Sequence, residues 1–178
     1  MGFIPFCALS EAKGMVIKMK VTYRTIGIIH SPFKEPEGTP IQPNAAKDVK
    51  GIVEIFPEYQ RGLKDINGFS HIILIYHFHL SKNYSLEVKP YMDDSLHGLF
   101  ATRAPARPNP IGLSVVRLIK VEKNKLYIKD IDAVDGTPLL DLKPFVPEFN
   151  SQDIMKIGWL EKNIKKLGNA RDDGRFRG

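Results

Sequence analysis

The sequence predicts an all-β-dominated fold, an antiparallel barrel or sandwich with one or two short helices and a C-terminal helix and tail. Three observations lead there. At least six segments read as strands, and almost no crossover helix separates them. No strand is followed by a G-x-G-x-x-G turn, so a doubly wound nucleotide-binding sheet is disfavoured.

The elements follow in order. Residues 1–20 read as an N-terminal extension, with Met15 and Met19 as alternative starts. VTYRTIGIIH (21–30) is β-branched and reads as a strand. Pro32, Pro36, Pro40 and Pro43 then forbid a helix, and so long a loop is usually functional. GIVEIF (51–56) is a short strand, and Pro57 starts a short helix over EYQRGLKDI. FSHIILIYHFHL (69–80), the most apolar run, is a central strand. GLFATR (98–103) reads as a strand before the rigid loop APARPNP (104–110). IGLSVVRLIKVE (111–122) and LYIKDIDAVD (126–135) form a hairpin, followed by PLLDLKPFVP (138–147). Leu160, Ile164 and Leu167 share a helical face, and 168–178 is expected to be disordered. The domain reading is a barrel over 21–160 and a basic end over 161–178.

Composition narrows the class. The 178 residues suit one domain, with hydrophobic content of 43% and charged content of 26%. The single cysteine, Cys7, excludes an internal disulfide framework, and the N-terminus lacks the basic region of an export signal. A cytoplasmic protein is expected. No apolar run is long enough to span a bilayer. The net charge of +6 is concentrated at the ends: +2 in residues 1–20 and +3 in 161–178. A polyanion would therefore meet the ends and local patches.

Four segments are candidates for chemistry. In FATRAPARPNPIGLS (100–114) three prolines stiffen a loop carrying Arg103 and Arg107, whose forks suit carboxylates and phosphates. The alternative is a loop that merely closes a barrel with solvated arginines. In DAVDGTP (132–138) Gly136 permits close backbone approach and Asp135 can accept hydrogen bonds; read alone, the motif is better explained as a plain hairpin turn after the 126–135 strand. Alternation places His71, His77 and His79 on one strand face with Ile73 and Ile75. No cysteine or carboxylate completes a zinc set, so no metal is expected. In GTPIQP (38–43) prolines keep backbone groups out of a ladder and free for a ligand.

IGIIHSPF (26–33), GTPIQP (38–43), GFSHIILIYHFH (68–79), FATRAPARPNPIGLS (100–114) and DAVDGTPLLDLKPFVP (132–147) together resemble the TsaA-like, or TrmO, family of tRNA N6-methyltransferases. The resemblance spans roughly residues 24–150, and the order of five motifs makes it specific. It implies a small antiparallel β-barrel that binds S-adenosylmethionine and forms homodimers. The implied substrate is threonylcarbamoyl-adenosine beside the anticodon of tRNA, methylated at N6. Bacterial members carry an extra C-terminal domain for which this chain has no room.

Carried over residue by residue, the resemblance assigns cofactor contacts to Pro40, Ile41, Gln42, His79, Leu80, Arg103, Leu113, Val134, Asp135, Gly136 and Thr137. His79 or Asp135 is the candidate proton acceptor, and a mechanism without a base is the alternative. Arg107, Arg171, Arg175 and Arg177 are candidate RNA contacts. Two other classes compete: a cofactor-binding barrel without catalysis, and an RNA-binding module in which Phe100 stacks on a base.

Overall fold

Alternation of side chains builds the barrel. In the computed structural model, which describes residues 19–150 and 156–176, six strands close on themselves in antiparallel order. They are β1 (Gly27–His30), β2 (Lys50–Ile55), β3 (His71–His77), β6 (Ile111–Glu122), β7 (Lys125–Lys129) and β8 (Thr137–Pro144). Around the barrel the order is β1, β2, β7, β6, β3, β8, and β8 returns to pair with β1. Closure removes the unpaired edges that an open sheet would present. A two-stranded ribbon, β4 (Glu87–Val88) with β5 (His97–Gly98), stands beside it. One turn of α-helix, α1 (Pro147–Asn150), follows β8.

The core lies inside the barrel, where Ile29, Val53, Ile72, Leu74, Val116, Leu126, Ile128 and Leu139 are fully enclosed. On β3 the inward set is Ile72, Leu74 and Tyr76, so Ile73 and Ile75 take the outer face with His71 and His77. Gly112 pairs directly with Tyr76 across β6 and β3. A methyl group there would overlap the Tyr76 ring, so only glycine lets the ring lie flat on the strand. The β3–β8 pairing shifts between Ile75 and Tyr76, and the β6–β7 pairing between Leu118 and Lys120. Such bulges let strands bend around a narrow barrel.

Several expected elements are shorter than the sequence suggests. The first strand begins at Gly27, not Val21. β3 stops at His77; Phe78 donates its amide to Pro110 O and a turn follows, so His79 lies beyond the strand. Residues 99–101 form a 3-10 turn rather than a strand, because Thr102 and Arg107 both donate to the Leu99 carbonyl. β7 ends at Lys129, where Asp130 adopts φ of 70° and its carboxylate binds Arg117. The helix after Pro57 is a 3-10 helix, Pro57–Leu63.

The C-terminal expectation is corrected for the residues described. Leu160, Ile164 and Leu167 fall in two 3-10 segments, Gly158–Lys162 and Ile164–Asn169, not in an α-helix. Residues 168–176 are not a loose end. Asp172 donates its amide to Thr39 O and its carbonyl accepts from Gly38 N, in a bridge between Pro40 and Arg171. Phe176 packs on Val88, Leu99 and Ala104. Burial of one aromatic ring plus a short ladder outweighs the low apolar content of the segment. Residues 1–18 and Arg177 lie outside the described residues.

Candidate active site

The loops at one end of the barrel surround a cavity of about 810 Å³. This lies within the roughly 300–1,000 Å³ common for small-molecule sites. The prolines of 36–43 and 105–110 keep these loops out of the barrel sheet, and the expectation that the backbone of 38–43 stays free is corrected at Gly38 and Thr39, which pair with Asp172. Of the expected cofactor contacts, Pro40, Ile41, Gln42, His79, Leu80, Arg103, Leu113, Val134 and Thr137 all line this cavity.

Arg103 ties two of its walls together. One guanidinium nitrogen donates to Gln42 Oε1 at 2.7 Å and another to Leu113 O at 2.7 Å. The cation therefore sits at the mouth between Gln42, 61 positions before it, and the carbonyl of Leu113, 10 positions after it. Its partners are neutral, so its positive charge is not cancelled by a paired carboxylate. Arg107 behaves differently. It donates to the carbonyls of Leu99, Thr102 and Ala104 and lies against the Phe100 ring. All three bonds come from Nη1, which organises the loop, and Arg107 itself lines the cavity.

Asp135 and Gly136 are not among the lining residues. Gly136 adopts φ of 77°, the left-handed turn that glycine allows. Asp135 accepts from Ser31 N at 3.1 Å and from Lys34 Nζ at 2.7 Å, with His30 at 3.5 Å. The Lys34 ammonium holds this carboxyl below the ordinary range, against a smaller opposing effect of burial. The residue pins the strand-to-loop corner.

The cavity's enclosed carboxylate is Asp132, which sequence reading passed over. Ser114 donates to its Oδ1 at 2.6 Å, and Tyr76 Oη lies 3.1 Å from Ser114 Oγ. Burial pushes the Asp132 carboxyl up to about 6, although the Ser114 bond and the Arg103 charge both act to lower it. Burial, reinforced by the Asp132 charge, also raises the Tyr76 phenol. His79 stands exposed at the rim; desolvation and then the neighbouring His77 lower its pKa. One sequence signal pointed to Asp132: Ser114 occupies an inward position of β6 between Gly112 and Val116, and an inward hydroxyl demands a polar partner.

The C-terminal segment supplies the remaining wall. Trp159, Leu160, Ile164, Leu167 and Phe176 line the cavity. Trp159 donates to Ala101 O at 2.8 Å and stacks on His97, with ring centroids 4.7 Å apart. His97 in turn contacts Asp93 Oδ2 at 3.2 Å, which Asn163 also approaches. Arg175, an expected RNA contact, donates to Lys89 O and Pro90 O and pairs with Asp173. Arg171 is exposed and donates to Ala170 O at 3.0 Å. Among the described residues no three His, Cys, Asp or Glu side chains form a metal-binding group.

Comparison with known proteins places this architecture. A probable S-adenosyl-L-methionine-binding protein of Pyrococcus abyssi is 64% identical over 162 residues, covering 91% of this chain and 88% of the relative. The human tRNA (adenine(37)-N6)-methyltransferase is 34% identical over 139 residues, covering 74% of this chain but 32% of its own length. The crystal structure of TrmO from Pseudomonas aeruginosa superimposes with a TM-score of 0.66 at 36% identity, covering 79% of this chain and 63% of that one. The chain thus spans about a third of the human relative and less than two thirds of the solved bacterial chain. The model of the tRNA-methyltransferase O N-terminal domain matches residues 28–151, which takes in every barrel strand but the first residue of β1, and the chain belongs to that family.

Proposed function

We propose that this protein is an S-adenosylmethionine-dependent methyltransferase that modifies N6 of threonylcarbamoyl-adenosine beside the anticodon of tRNA. One observation carries the reading. Nine of the eleven residues that the family resemblance assigns to the cofactor, brought from five separate loops and strands, line a single cavity. The residues present suit such a cofactor: a cationic fork at Arg103 for a carboxylate, apolar surfaces at Ile41 and Leu113, and polar groups at Gln42 and Thr137.

The cofactor supplies an activated methyl group; the protein has to hold donor and acceptor in line in a dry site. Arg103 fixes the mouth by joining Gln42 to the Leu113 carbonyl. The prolines around it restrict the loops before ligand arrives, which reduces the ordering cost of binding. Trp159 and the apolar residues of 160–167 close the wall that the barrel leaves open. Incubation with methyl-labelled cofactor and bulk tRNA tests the proposal. Label should appear in a subset of tRNAs, and nuclease digestion should release it as the N6-methylated threonylcarbamoyl nucleoside. Cofactor binding with no label in any tRNA would identify a binding-only barrel instead.

A further inference from the structure

We propose that Asp132 is the catalytic base that takes the proton from N6 of the target adenosine, and that Ser114 and Tyr76 position it. The assignment rests on the methyltransferase reading above.

Two carboxylates line the cavity among the described residues, Asp132 and Asp172. Asp172 caps its own turn, accepting from Gly174 N at 2.7 Å, and its backbone pairs with the 38–39 loop. Asp132 has one oxygen, Oδ1, held by Ser114, and no side chain among the described residues donates to Oδ2. A hydroxyl has a single proton. Because Ser114 donates its proton to Asp132, the bond between Tyr76 and Ser114 must have Tyr76 as donor. The chain of donors therefore runs from Tyr76 through Ser114 to Asp132, aligned to stabilise the ionised carboxylate and to fix its rotamer.

The groups that face Asp132 are Ser114 from β6, Tyr76 from β3 and Arg103 from the 100–110 loop. Its enclosure makes it more basic than a surface carboxylate, while it stays ionised at neutral pH. In the step, the N6 lone pair forms the new bond to the methyl carbon. The methyl–sulfur bond breaks with its electron pair retained by sulfur, and the N6 proton passes to Asp132. Bond formation moves the positive charge from sulfur to N6, which makes the N6 proton acidic beside an ionised Asp132, while Arg103 keeps its charge throughout. His79 is the weaker candidate, since it is exposed at the rim with a lowered pKa.

The test compares wild type with Asp132→Asn, Asp132→Glu and Ser114→Ala in single-turnover methylation of bulk tRNA, with cofactor affinity from calorimetry. We expect Asp132→Asn to slow transfer by on the order of 100-fold or more at saturating cofactor, with cofactor affinity unchanged within about threefold. Asp132→Glu should recover part of the rate. The wild-type rate should rise with pH through about 6 and then level. Ser114→Ala removes a bond that favours the ionised form, so it should move that limb to higher pH. Carbon-13 NMR of the aspartate carboxyls gives a readout independent of turnover, with the Asp132 signal titrating near 6. An Asn variant that retains its rate, or one that loses cofactor affinity in proportion to rate, overturns the assignment. So does a wild-type pH profile with no acid limb, which needs no variant to fold. Absence of methylation by the wild type would instead sink the methyltransferase reading itself.

Discussion

Ser114 Oγ lies 2.6 Å from Asp132 Oδ1, joining an inward residue of a long strand to the loop that leaves its hairpin partner. The hydrogen bond crosses 18 residues of sequence and holds a carboxylate where a barrel of this size would otherwise place an apolar side chain. Burying that group has a stability cost which function would have to offset.

The cost is measurable through pH. The Asp132 carboxyl is raised from an ordinary 3.8 to about 6 in the folded protein. Such a group binds its proton more tightly when folded. Its stabilising contribution is complete below about pH 3.8 and is lost as pH rises through about 6. Asp132→Asn, which has no charge to bury, should therefore be more stable than wild type at pH 8, by at most about 3 kcal/mol. The gap should close below about pH 4. Thermal melts across that range check it, and a destabilised Asn variant at pH 8 would show that burial is not the dominant influence.

Arg103 should matter for the cofactor and little for the fold. Its guanidinium joins Gln42 Oε1 and Leu113 O from an exposed position, so its loss removes a cation and two anchors but no core packing. Arg103→Ala is expected to weaken S-adenosylmethionine binding roughly 10- to 100-fold with the melting temperature nearly unchanged. Arg103→Lys should not restore affinity, because an ammonium cannot span both acceptors as a fork does. Calorimetry showing wild-type affinity in either variant would remove Arg103 from the site.

The C-terminal segment should serve the cavity rather than trail from it. Deleting 156–178 removes Trp159, Leu160, Ile164 and Leu167 from the lining and should weaken cofactor binding by about tenfold or more. Trp159→Ala should account for part of that loss. Arg175 is engaged by Lys89 O, Pro90 O and Asp173, so Arg175→Ala should lower stability and leave the salt dependence of tRNA binding unchanged. Filter binding across a salt series decides: a slope shallower by about one unit would show Arg175 on a phosphate.

The antiparallel barrel-or-sandwich class and the β6–β7 hairpin could be read from local pattern (β-branched runs, short turns and proline spacing), while the resemblance of five motifs to a known family implied the barrel. The same locality led to Asp135, the turn carboxylate beside Gly136. The fold instead directs Asp135 to Lys34 and Ser31, and directs Asp132 into the cavity. Asp132 and Asp135 lie three positions apart on the non-strand segment between β7 and β8, where no strand alternation decides which side chain faces inward. The C-terminal wall was equally hidden. Leu160, Ile164 and Leu167 carry an apolar spacing in the sequence, but which surface they cover depends on the contacts of Asp172 with the 38–39 loop and of Phe176 with Val88. Sequence determined the strands and the chemistry that the loops carry. Only the closed barrel decided which of those groups meet, because contacts across 61, 70 or 104 residues arise from chain closure and not from neighbours in sequence.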